Sequence, residues 1–280
     1  SRQSVLLIES APWPTVVAIG LFFVIVGFIF LMRCLGYCFM LDFVIRGILV
    51  FIIGVMLWAR DLIRESIFIC RFTIVTQYFL RLALYNFILS EFMLFFGFFW
   101  SAFYSAGWPT VWLGYWCPCV GIVFINNFGL SLLNTLALLM AGSSVIWIRN
   151  GLKEVHILKV ILGYSFTYSM AIIFMFNQVV EWYNVSFSWG SSILGTIFFM
   201  LTGIHFSHAV LGLFAMTWIF YLYMSSLLLG QVSLLYRSVE MYWLFVDYMW
   251  VIVFWFSYGF SSISFNIKIR LGLELVYIFV

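Results

Sequence analysis

Few side chains in this 280-residue sequence could hold a metal or move a proton: three histidines, five cysteines and ten carboxylates. His205 and His208 stand three apart, so on a helix they could point together at a metal or at an acidic lipid. No third ligand accompanies them, and a haem-binding bundle needs axial ligands from facing helices. No metal site is therefore expected; packing or hydrogen bonding to protein or lipid is. Cys34, Cys38, Cys70, Cys117 and Cys119 are expected as free thiols, because Cys117-Pro118-Cys119 is too tight for an ordinary disulfide. No Gly-rich phosphate loop, HExxH helix or nucleophile flanked by a base is present.

Glu91 is the exception that carries chemistry. From Leu82 to Tyr104 it is the sole charged residue, in a run long enough to cross a hydrocarbon core of ~30 Å as a helix. A carboxylate there costs on the order of 2.5–3.5 kcal/mol. Its helical neighbours Phe87, Ile88, Leu94 and Phe95 are all apolar. Glu91 must stay protonated, or meet a polar group supplied by another helix, water or a lipid head group. Glu181 and Asp247 are further polar groups at apolar runs. Asp247, read near the start of its helix, has Trp243, Leu244, Trp250 and Val251 at contacting spacings.

These residues need helices to position them. The chain is 66% hydrophobic and 8% charged, which no soluble domain of this size could hide. A net charge of +3 without a basic run argues against nucleic acid. Ser1 to Glu9 lacks the pattern of a cleavable signal, so none is expected. The fold class is all-α, a single membrane domain with seven spans at approximately 15–32, 43–59, 82–104, 128–148, 160–180, 193–224 and 241–260. Gly107 to Asn127 reads as an interfacial loop, and 263–280 as an additional tail along the membrane surface.

Seven crossings make the sides alternate. Nine basic residues then fall on the side of the N-terminus and four on the other, which places the N-terminus in the matrix or cytoplasm. Arg60 and Arg64, at i and i+4 beside the end of the second span, favour a phosphate.

Several motifs, in order, carry a family resemblance. Pro12-Trp13-Pro14 is followed by Trp58-Ala59-Arg60-Asp61-Leu62-Ile63-Arg64-Glu65, then by Ser90-Glu91 with Phe95-Phe96-Gly97-Phe98-Phe99-Trp100. Leu132-Leu133-Asn134-Thr135, Glu181, Thr202-Gly203-Ile204-His205-Phe206-Ser207-His208 and Tyr242-Trp243-Leu244-Phe245-Val246-Asp247 complete the set. From about residue 10 to 262 the chain resembles cytochrome c oxidase subunit III of a divergent mitochondrial lineage.

The resemblance implies two helices splayed from five, with phospholipids in the cleft between them. It implies lipid contacts at Trp58, Arg64, Glu65, Glu91 and His205 or His208. It implies the mitochondrial inner membrane, with the N-terminus in the matrix and the C-terminus on the intermembrane side. The partners it implies are subunit I and subunit II, which hold haem a and copper, accessory oxidase subunits and possible supercomplex neighbours. The chain itself would carry no redox centre, and would support proton uptake, stability and assembly. Five positions depart from the pattern: Leu244, Arg149, Asn150 and a serine, around Ser105, replace family histidines, and Ser131 replaces a proline. Arg149 can replace a histidine as an anion partner. Read without the resemblance, the alternative is a polytopic transporter, although no internal repeat supports it.

Overall fold

The computed structural model describes residues 11–32, 37–65, 74–107, 129–225 and 232–260. Its helices are α1 (Trp13–Met32), α2 (Tyr37–Ile63), α3 (Ile74–Gly107), α4 (Leu130–Lys153), α5 (Ile157–Asn184), α6 (Ile193–Met224) and α7 (Val232–Phe254), followed by a π-helical segment, Trp255–Phe260. All seven are long and apolar enough to cross a membrane. No strand occurs among the described residues. The protein is an all-α, seven-span membrane bundle. Its helices overrun the apolar runs: α3 begins at Ile74 and α7 at Val232. Charges such as Arg81, Arg237 and Glu240 end hydrophobicity, but the backbone keeps its internal hydrogen bonds through them toward the head-group level.

The chain divides into two compact units, Ser1–Arg81 and Leu82–Val280. In the first, α1 and α2 pack antiparallel through glycines. A Cβ on Gly20 would lie 2.7 Å from the backbone nitrogen of Phe51, and one on Gly47 would lie 2.9 Å from that of Val24. Only hydrogen fits at either position, so the two backbones come close without interlocking side chains. The outer faces stay apolar, with Phe22 61% and Ile25 57% exposed, which suits lipid rather than water.

In the second unit, most of α3 accompanies α4, α5, α6 and α7. Trp243, Trp250, Tyr164, Phe174, Leu138 and Ile148 fill its core. Lipid tails are as apolar as leucine, so burying such residues does not by itself join helices inside a membrane. Hydroxyls and indoles add the specific links. Ser144 and Thr167 share a hydrogen bond of 2.6 Å between α4 and α5. Trp182 Nε1 donates to Thr202 Oγ1 at 3.0 Å, joining α5 to α6. Trp250 Nε1 donates to Thr135 Oγ1 at 3.2 Å, and Tyr236 to the Val145 carbonyl at 2.6 Å, fastening α7 to α4. Interhelical bonds of this kind contribute about 0.6 kcal/mol each.

Candidate functional site

Glu91 finds its partner on another helix. Its Oε2 lies 2.8 Å from Nε2 of His208, which joins α3 to α6. The other ring nitrogen of His208, Nδ1, lies 2.7 Å from the carbonyl of Ile204, one turn earlier on α6. A carbonyl only accepts, so Nδ1 carries a hydrogen. Two forms then satisfy the second contact: a protonated Glu91 donating to a bare Nε2, or an imidazolium donating to a carboxylate. They contain the same number of protons and the same zero net charge. The pair therefore holds one proton between Oε2 and Nε2 without placing an uncompensated charge among apolar helices.

Aromatic side chains enclose this pair. The Phe95 ring centroid lies 5.7 Å from that of His208, and Phe95 is 1% exposed. Tyr242 on α7 donates to the His208 carbonyl at 3.3 Å and packs against Phe87. The side chains of His208 and Glu91 remain 13% and 20% exposed, so the pair is not wholly enclosed.

The two histidines do not converge on one ligand. His205 is fully buried, with Nε2 donating to the Val246 carbonyl at 3.0 Å. Its ring packs between Phe174 and Trp250, at 5.7 and 4.8 Å between centroids. Protein thus encloses His205, whereas the His208 side chain stays 13% exposed. Among the described residues no group of three or more His, Cys, Asp or Glu could hold a metal ion. Cys34, Cys70, Cys117 and Cys119, the Gly107–Asn127 loop beyond its first residue, and the 263–280 tail lie outside the described residues.

The remaining candidates are dispersed. Asp247 sits well inside α7 because that helix starts at Val232, and it is 5% exposed. Its carboxyl fills the space where a side chain on Gly142 of α4 would stand. Glu181, 3% exposed on α5, has the hydroxyls of Tyr258 and Ser131 beside it. In the first unit, Trp58 is 38% exposed near the end of α2, and Arg60 bonds Asp61 at 2.8 Å. Arg64 and Glu65 continue α2 as a wider π turn, with Arg64 exposed and Glu65 half-buried.

Sequence reasoning missed Asp61, which accepts from the Trp13 indole as well as from Arg60. The available signal was an acid placed between two arginines and level with the Pro-Trp-Pro entry. It also missed a groove of about 340 Å³ between α3 and α6, lined by Phe98 and Ser101 on one side and Ile193, Ile197 and Met200 on the other. Phe98 lies seven residues, two helical turns, beyond Glu91, on the same face of α3.

Comparison with known proteins identifies the family. The family model for cytochrome c oxidase subunit III matches residues 3–262. Cytochrome c oxidase subunit 3 of Schizophyllum commune is 32% identical over 248 residues, covering 89% of this chain and 92% of that protein. The protein of the same name from Branchiostoma lanceolatum is 32% identical over 261 residues, covering 91% of this chain and 96% of its own length. That from Chondrus crispus is 31% identical over 249 residues, covering 89% and 90%. With seven helices fit to cross a membrane and a family match over nearly its whole length, this chain belongs to the cytochrome c oxidase subunit III family.

Proposed function

We propose that this chain is the third core subunit of a mitochondrial cytochrome c oxidase, a non-catalytic subunit beside subunits I and II. In this reading those partners hold the haem a and copper and reduce oxygen. This chain supports proton uptake, assembly and the durability of the catalytic subunits, and binds phospholipid. It lies in the inner membrane with its N-terminus on the matrix side. Accessory oxidase subunits, and supercomplex neighbours where these form, complete its surroundings.

The observation that carries this reading is the Glu91–His208 pair. A proton can pass between Oε2 and Nε2 without changing the net charge of the membrane interior. Such a pair buffers a proton near an uptake route and holds α3 against α6 at the same time. The groove between those helices, about 340 Å³ and mostly apolar, suits an acyl chain. Within the first unit Trp58, Arg60, Arg64 and Glu65 are candidate head-group contacts of their own, and within the second unit His208 is another.

Replacing Glu91 by Gln or Ala tests this role. Glu91→Gln keeps the shape and a neutral hydrogen bond to His208, so the complex is expected to assemble with nearly normal initial oxygen consumption. Glu91→Ala strands the imidazole and should lose lipid, or turn over for a shorter time. Loss of electron transfer from the first turnover in a correctly assembled Glu91→Gln complex would place Glu91 in the essential proton path and overturn the supporting role.

A further inference from the structure

A group of buried polar side chains gathers where α4 begins, α5 ends and α7 gives way to its π-helical segment. Glu181 lies one turn from the end of α5, with the hydroxyls of Ser131 on α4 and Tyr258 on the π segment beside its carboxyl. Gln178, one turn earlier on α5, also has Tyr258 near it. The register of α4 against α5 brings in Asn134. These helices run antiparallel, with Ile148 against Gly163, Ser144 bonded to Thr167, and Ser131 beside Glu181. That register sets Asn134 level with Gln178, and both are fully buried. Neither amide has a direct hydrogen-bond partner for its oxygen or its nitrogen among the described residues, and the same holds for the carboxyl oxygens of Glu181.

Polar groups inside a lipid-surrounded bundle are costly to leave unmet, and the chemistry these share selects their ligand. The cluster mixes donors with acceptors: each primary amide offers N–H groups and a carbonyl, and each hydroxyl both donates and accepts. A hard cation would take only the oxygens and leave the amide N–H groups without an acceptor. An apolar ligand would satisfy nothing. Water donates and accepts, and a buried water requires roughly two to four polar partners, which this cluster supplies. The setting fits as well. Phe198 and Phe254 pack on the Tyr258 ring at 6.0 and 5.4 Å between centroids, so apolar rings cover the tyrosine. The helix ends beside the cluster lie toward the interface, where water is at hand. π-Helical turns are frequent at functional sites, and this one carries Tyr258 to the cluster. We propose that Asn134, Gln178, Glu181, Ser131 and Tyr258 enclose an internal water site through which α4, α5 and the π-helical segment are joined. The site shares no residue with the Glu91–His208 pair and does not depend on the oxidase role.

The test uses the chain in the assembly it occupies, purified from its membrane and imaged by electron cryomicroscopy at a resolution that shows ordered water. A discrete peak is expected within about 2.5–3.2 Å of about three of the named polar atoms. It should persist when sodium and potassium are replaced by choline throughout. In Asn134→Leu/Gln178→Leu the peak should vanish. The backbone amides of Trp255–Phe260 should then exchange with deuterium about tenfold faster, as expected on losing roughly one hydrogen bond. Glu181→Gln keeps the shape and the polar partners, and should retain both the peak and the slow exchange. Side chains that pair directly, with no density between them, would overturn the proposal. So would a peak that disappears in choline, which would assign a cation, or unchanged exchange in the double variant. The first two readings need no variant, so they decide the matter even where the double variant fails to assemble.

Discussion

The indole Nε1 of Trp13 donates to Asp61 Oδ2 at 2.6 Å, which ties the first turn of α1 to the last turn of α2. Arg60 takes the other carboxylate oxygen of Asp61 at 2.8 Å. The polar end of this hairpin is therefore closed by a carboxylate with two partners, while Arg64 remains exposed. The glycine contacts along the rest of the hairpin bring the backbones together but supply no such directional bond.

Trp13→Phe keeps the ring and removes the donor, so the hairpin should open more readily and be cut faster by protease in detergent. Asp61→Ala should do the same, and the double variant should be no worse than Asp61→Ala alone. Strictly additive effects would show that the two side chains act separately.

Removing the imidazole of His208 deprives Glu91 of its partner in a largely apolar setting. His208→Ala should destabilise the second unit by about 1–3 kcal/mol. His208→Gln, which can still hydrogen-bond to the carboxyl, should recover part of that loss. Melting curves of the two variants in one detergent check the order. Equal stability of wild type and His208→Ala would show that the contact contributes nothing.

The α4–α5 turn holds an exposed pair whose pH dependence has a definite sign. Lys159, by its hydrogen bond and then its charge, lowers the pKa of Glu154 below the ordinary 4.5. A lowered folded pKa means that the contribution is complete above about 4.5 and disappears as pH falls through the lower folded value. Lys159→Met should therefore narrow the stability difference from wild type on acidification, and the two should converge at low pH. Thermal midpoints measured across this range test it. A gap that widened on acidification would contradict the assignment.

Val155, in the same turn, has φ 55°, and its side chain is 76% exposed. The left-handed region costs an ordinary L-residue roughly 1–2 kcal/mol, and a β-branched side chain fits it poorly. Val155→Gly removes that strain with little packing to lose, although glycine gives back part of the gain through the freedom of the unfolded chain. A net stabilisation of about 0.5–1 kcal/mol is expected from equilibrium unfolding. A loss of stability would mean that the valine side chain makes contacts worth more than the strain.

Seven crossings and the need of Glu91 for a polar partner were legible in the residue order, because both follow from local rules. A run of apolar residues long enough to span the hydrocarbon must be helical, and a carboxyl inside it must be neutral or paired. The motifs from Pro12-Trp13-Pro14 to Asp247 likewise carried the family by order and spacing. The tertiary structure decided which groups meet. Glu91 and His208 are 117 positions apart, and only the rotation and depth of α3 and α6 bring Oε2 to Nε2. His205 and His208 share a helix at a spacing that suggests a common target, yet His205 bonds α7 and His208 bonds α3. Arg149 and Glu240 come together in the same way, across the α4–α7 seam. Hydrophobicity selects lipid-crossing helices without distinguishing one lipid-facing side from another. Their rotation is set by interhelical bonds such as Ser144 to Thr167, and by glycines such as Gly20 that let backbones approach, features distributed over the whole chain and resolved only when the helices pack.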